Sequence, residues 1–170
     1  VTHANGVNAK RVIYICGGAY AENVVTDMSV ATDAPDIIGA GIDRVQINSW
    51  TYTNGGSANS GFVVMRDFSL MGNSTLTYSS AIGQGDGIKF VNVAFNAAGG
   101  SGGSILFDNP DTLRFEGCNF GGGTVEFENA VNVVIDDNCW FSATKLWLTL
   151  LCDQFYIGGK FRNGSRIVTE

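Results

Sequence analysis

Residues 113–120 read LRFEGCNF. Leu113 and Phe115 alternate with Arg114, Glu116 and Gly117 follow, and alternation resumes at Cys118 and Phe120. The same arrangement stands 25 residues earlier as IKFVNVAF (88–95), and 25 before that as VVMRDFSL (63–70). Successive side chains of an extended chain point to opposite sides, so a period of two marks strands with one buried face. Recurrence at a fixed longer interval marks a repeat, in which each copy buries its apolar face on its neighbours.

Further copies are IYICGGAY (13–20), VVIDDNCW (133–140) and FYIGGKFR (155–162). In the last a one-residue shift makes Phe161 the final inward group. IIGAGIDRV (37–45) lies between the first two copies with its register open. The first apolar column holds Ile13, Val63, Ile88, Leu113, Val133 and Phe155; the second holds Ile15, Met65, Phe90, Phe115, Ile135 and Ile157. The last holds Tyr20, Leu70, Phe95, Phe120 and Trp140. Between them stands a column of Gly17, Asp67, Asn92, Gly117, Asp137 and Gly159. Glycine, asparagine and aspartate are the residues that tolerate a left-handed backbone, which a sharp corner in a strand requires.

A strand, a two-residue corner and a second strand, repeated every 20–25 residues, specify an all-β chain: a single-stranded, right-handed parallel β-helix of about seven coils. At about 4.8 Å per coil this is a rod of roughly 34 Å. One domain is expected over 1–170, with a lead-in at 1–10, stacked coils over 11–162 and a tail at 163–170. An antiparallel sandwich shares the short strands and glycine turns but explains neither the equal intervals nor the corner column. Glycine runs at 55–56, 99–103 and 121–123 read as loops between copies.

The composition narrows the function. The chain is 45% hydrophobic and only 15% charged, with 23 glycines and two prolines, so it is expected to be globular, with an outer surface either rich in Ser, Thr, Asn and Gly or covered by a partner. A net charge of −6 without a basic stripe does not suit nucleic acid. No apolar run is long enough to be inserted in a membrane as a helix; LWLTLL (146–151) is too short. Cys16, Cys118, Cys139 and Cys152 form no CxxC pair and His3 is the one histidine. Buried free thiols are therefore expected, with no metal and no cofactor. A lone histidine ahead of the repeats also argues against a serine or cysteine nucleophile device.

Outer-face carboxylates on neighbouring coils are the candidates for acid–base chemistry: Asp111, Glu126, Glu116 and Asp136. YICGGAYAENV (14–24) resembles the Gly-x-Tyr-x-Glu opening of pectin methylesterases, and IIGAGIDRVQI (37–47) is similar to the Gly-x-Gly segment that follows it there. FVVMRDFSL (62–70) resembles their Ala-Arg-Asp strand, and GTVEFENAVNVVIDDNC (123–139) their Gly-Thr-Val-Asp-Phe stretch. This resemblance implies the pectin-lyase-like superfamily fold, with Glu126 at the nucleophile position and Asp111 near the acid/base position. The family's glutamine motif is missing from 73–87 and its closing Gly-Arg-Pro-Trp is absent.

TKLWLTLLCDQFYI (144–157) is apolar on both alternating faces. Leu146, Leu148 and Leu150 go one way, Trp147 and Leu151 the other. A coil buries one face on its own core, so Trp147 and Leu151 are expected at a subunit interface. Trp50 and Tyr52, in a polar loop, can either stack on a sugar ring or fold over the coil edge. Low charge and a compact stack also resemble the β-helices of phage tail fibres, tail spikes and capsid decoration proteins. That resemblance implies a structural, virion-located homotrimer touching other virion proteins or cell-surface polysaccharide. The alternatives are an enzyme acting on acidic or acylated polysaccharide, and a secreted carbohydrate-binding adhesin.

Overall fold

The computed structural model describes residues 12–28, 35–54, 62–72, 74–78, 87–96, 104–108, 112–149 and 152–170. Among them there is no helix, and the chain winds into a parallel β-solenoid. In chain order the strands are β1 (Val12–Ile15), β2 (Gly18–Met28), β3 (Asp36–Gly39), β4 (Val45–Asn54), β5 (Phe62–Arg66), β6 (Ser69–Leu70) and β7 (Ser74–Tyr78). They continue as β8 (Gly87–Val91), β9 (Ala94–Phe95), β10 (Ser104–Asp108), β11 (Thr112–Glu116), β12 (Asn119–Gly121) and β13 (Thr124–Glu128). The last are β14 (Asn132–Ile135), β15 (Trp140–Ser142), β16 (Lys145–Thr149), β17 (Gln154–Ile157), β18 (Lys160–Arg162) and β19 (Arg166–Thr169).

The first sheet stacks β1-β3-β5-β8-β11-β14-β17, all in parallel. The remaining strands form a second sheet, continuous because the long β4 spans the bend between its two halves. The result is about five turns rather than seven. Among the described residues the buried ones run from 35 to 149, so the rungs at 12–28 and 154–169 lie at the ends of the enclosed interior.

Each turn contains a third strand that the repeat template lacks. β7, β10, β13, β16 and β19 stack in register, giving inward columns Ile105–Val125–Leu146–Ile167 and Tyr52–Leu76–Phe107–Phe127–Leu148. Glycines 122 and 123, expected in a loop, have φ of 69° and 67° and turn the chain from β12 into β13. The runs at 55–56 and 99–103 lie outside the described residues.

The central column is Ile13–Ile37–Met65–Phe90–Phe115–Ile135–Ile157. Ile13 therefore falls one step along from its expected column, level with Met65 rather than Val63. The column after the corner is Tyr20–Ile47–Leu70–Phe95–Phe120–Phe141–Phe161. Phe141 replaces the expected Trp140, because the corner Asp136–Cys139 is one residue longer than that in LRFEGCNF. It is closed by Cys139 N donating to Asp136 O at 3.2 Å. Phe95, Phe120, Phe141 and Phe161 stack face to face with centroids 5.1, 4.7 and 4.3 Å apart.

At the corners, Asp67, Asn92, Gly117 and Gly159 have φ of 63°, 52°, 60° and 95°. Gly17 and Asp137 are not left-handed: the left-handed residue of the second turn is Gly41, and the longer loop around Asp137 bends without one. The corners are tied to one another. Asn92 Nδ2 donates to Asp67 Oδ1 at 2.7 Å, and Gly117 N donates to Asp136 Oδ1 at 3.2 Å. Cys118 and Cys139 are buried here, with Cys118 N donating to Cys139 Sγ at 3.3 Å. Cys152 is half-buried and Cys16 exposed, so the expectation of buried thiols fails at Cys16, which lies in the outermost rung; all four are free.

Candidate functional site

Strand alternation puts Asp36, Ile38, Val64, Arg66, Lys89, Val91, Arg114 and Glu116 on the outer face of the first sheet. Lys89 stands in register between Val64 and Arg114, and Val91 between Arg66 and Glu116. Three of the chain's ten cations thus lie on three consecutive rungs. Asp36, Ile38, Val64, Arg66, Lys89 and Val91 line a shallow trough of about 240 Å³. Its polar groups are held in place. Lys89 Nζ meets Glu116 Oε1 at 2.7 Å, Arg66 Nε lies 3.6 Å from Asp67 Oδ2, and Val64 N donates to Asp36 Oδ1 at 2.8 Å. Such a surface, with a cation on each of two adjacent rungs over an apolar floor of Val64 and Val91, suits a carboxylate- and hydroxyl-bearing chain lying across the rungs.

Of the candidate carboxylates among the described residues, Glu116 and Asp136 follow paired Phe115 and Ile135 on adjacent rungs, while Glu126 lies on another sheet. Glu116 and Asp136 belong to the first-sheet side, where Glu116 pairs with Lys89. Asp136 Oδ1 accepts from Gly117 N, Asn138 N at 3.1 Å and the Cys139 thiol at 3.2 Å. Glu126 sits on the outer face of a different sheet, in register between Leu106 and Trp147, where Thr149 Oγ1 donates to it at 3.5 Å. Asp111 lies outside the described residues, as does Leu151.

Trp50 and Tyr52 are each 1% exposed. The chain changes parity along β4, so both rings turn inward, edge-on to each other and, for Trp50, to Phe68. Trp50 Nε1 donates to Thr26 Oγ1 at 3.0 Å. Neither ring offers a face to a sugar, and the stacking role is withdrawn. Burial raises the Tyr52 phenol. The Cys139 thiol is raised by its hydrogen bond with Cys118 and then by burial. Tyr156 is raised by donating to Asp137 Oδ1 at 3.1 Å.

Trp147 does face outward, half-buried, with Lys145 Nζ 3.5 Å from its ring centroid; its Nε1 is buried and has no acceptor among the described residues. Trp140 carries Lys160 Nζ and the Arg162 guanidinium at 4.6 and 4.2 Å. The cations of the trough, Arg66 and Lys89, were missed in the sequence, although both stand at outward positions of VVMRDFSL and IKFVNVAF. Among the described residues no group of three or more side chains is arranged to hold a metal ion.

No family model matches the chain, and no curated protein or solved structure is found to be similar to it.

Proposed function

We propose that the chain is a structural building block: a rigid β-helical section, pectin-lyase-like in its winding, of a phage tail fibre, tail spike or capsid decoration protein. The observation that carries this reading is how its polar side chains are used. Asp67, Asp136 and Asn92 tie one corner to the next, Glu116 and Lys89 link rungs, and the apolar columns stack through the middle turns, where buried Ser74 accepts from Trp50 N. A chain organised this way resists bending and presents long flat faces. The Trp147 face is the proposed contact in a homotrimer, with other virion proteins or cell-surface polysaccharide as further partners. The mass of the native particle in solution tests it. Three chains at every concentration are expected; release of reducing ends, methanol or unsaturated product from a panel of acidic polysaccharides would count against it.

A secreted carbohydrate-binding role is the second reading, and the trough favours it over the withdrawn aromatic site. Binding to uronate-rich polymers, lost in Arg66→Ala with Lys89→Ala at unchanged thermal stability, is its expected signature. No binding to any acidic glycan would remove it.

A further inference from the structure

We infer that Cys118 and Cys139 are the reduced form of a disulfide site that clasps two adjacent turns of the solenoid. The two residues stand immediately before Asn119 and Trp140, which pair in parallel register. They therefore occupy consecutive places in one inward column at the corner, Phe68–Val93–Cys118–Cys139–Gly159. Neighbours across a parallel ladder have Cα atoms about 4.8 Å apart. A disulfide spans about 4.4–6.8 Å between Cα atoms, so the ladder already holds the pair at a bridging distance. In the plain repeat Cys118 would stand level with Asn138. The longer corner Asp136–Cys139 shifts the register by one residue and brings the second sulfur into the column.

The contact is direct. Cys118 N donates to Cys139 Sγ at 3.3 Å, and both residues are 0% exposed. Cys118 Sγ donates to Phe90 O and Glu116 O at 3.6 Å, and Cys139 Sγ to Phe115 O at 3.5 Å and Asp136 Oδ1 at 3.2 Å. Oxidation removes these donors, yet three of the four acceptors keep another. Glu116 O accepts from Asn92 N, Phe115 O from Asp136 N, and Asp136 Oδ1 from Gly117 N and Asn138 N. The other two cysteines stand outside the column. Cys16 is exposed, and Cys152 Sγ donates to Phe127 O and Thr149 O at a different corner.

The oxidant is a small disulfide, and the step is thiol–disulfide exchange. One cysteine, as thiolate, attacks the external disulfide and releases its first thiol. The other cysteine then attacks the mixed disulfide and releases the second. The Cys118 Sγ–Cys139 Sγ bond forms and the external S–S bond breaks; the two cysteines are oxidised, and the two released thiols carry away their protons. Burial keeps the oxidant out and disfavours the thiolate, so the exchange runs when the corner opens, during folding or local unfolding. In a solenoid each turn is held by its neighbours, and this bond closes one place at which the stack can part. It also ties residues 21 positions apart, which narrows the unfolded ensemble.

Peptide mapping of the 170-residue chain tests this. The chain is incubated with oxidised glutathione in enough urea to open the corner transiently, quenched with iodoacetamide, and cut after glutamate without reduction. Glu126 and Glu128 lie between the two cysteines, so the bond appears as two joined peptides. The joined pair is expected, together with a thermal midpoint raised by several degrees that returns on reduction with dithiothreitol. Cys118→Ala and Cys139→Ala should each lose both the joined peptides and the shift. Where either variant does not fold, the map of the parent chain decides. Glutathione adducts on both cysteines with no bond between them, joined peptides that run instead through Cys16 or Cys152, or a bond that fails to raise the midpoint overturn the proposal. So does survival of both thiols in urea at which a parallel sample is alkylated on both.

Discussion

The middle turns and the two end rungs are written in the same pattern, yet they differ in what their side chains contribute. Phe90, Phe95, Phe107, Phe115, Phe120 and Phe127 pack against one another, stacked along the columns and edge-on between them, and none is more than 1% exposed. Phe161 continues one of those columns with the closest stacking of all, 4.3 Å, and is still open to water on its far side. A column position decides which way a side chain points; a rung on each side decides how much that position stabilises. In a quasi-one-dimensional fold the interface terms are set by nearest neighbours, so a rung paired on one side among the described residues has one such term rather than two.

The largest expected effect sharpens this contrast directly. Phe115→Ala should cost about 3–5 kcal/mol in denaturant unfolding, as should Phe141→Ala. Phe161→Ala, measured in dilute protein, should cost only about 1 kcal/mol because much of the ring is exposed in the native chain. Equal costs for Phe141 and Phe161 would break the comparison. Next comes the corner. Gly117 has φ +60° with nothing within 4 Å of an added Cβ, so Gly117→Val is resisted by backbone conformation alone, at about 1–2 kcal/mol. A variant as stable as the parent chain would remove the conformational account of the corner column.

Asp136→Ala should cost about 1 kcal/mol, through the loss of the bonds from Gly117 N and Asn138 N. A double-mutant cycle on Lys89 and Glu116 should find less than about 1 kcal/mol of coupling, falling with salt, since both side chains are a third or more exposed. A last effect is silent at neutral pH. Tyr52 and Cys139 are both raised above their ordinary values near 10 and 9. Below those values folded and unfolded chains alike hold the protons. Above them the unfolded chain releases its protons first, so stability should fall as pH rises. Tyr52→Phe should flatten the decline above pH 10 in equilibrium unfolding; an unchanged slope would show that this phenol does not take part.

Much of the architecture was legible because its signals are local. Alternation in LRFEGCNF and its copies, and the Asp, Asn or Gly between them, require only that the chain be extended and then bend left-handed, and a residue's own backbone sterics decide both. The left-handed backbone at Asp67, Asn92, Gly117 and Gly159, and the column from Leu70 to Phe120, follow from that alone. What depended on neighbours was not legible. The one-residue insertion at Asp136–Cys139 moves Phe141 inward in place of Trp140 only because β15 must match β12 above it. The parity change in β4 that buries Trp50 and Tyr52, and the third strand of each turn, exist because the coil has to close. The trough was hidden for the same reason: Arg66 and Lys89 are 23 residues apart in the chain and become neighbours only when one rung is laid on the next. The sequence by itself determined which residues are strand, which are corner and which face is apolar, since these are properties of short segments. Stacking alone decided the register between turns, and with it which outward charges share a surface, because register is a relation between segments that no single segment carries.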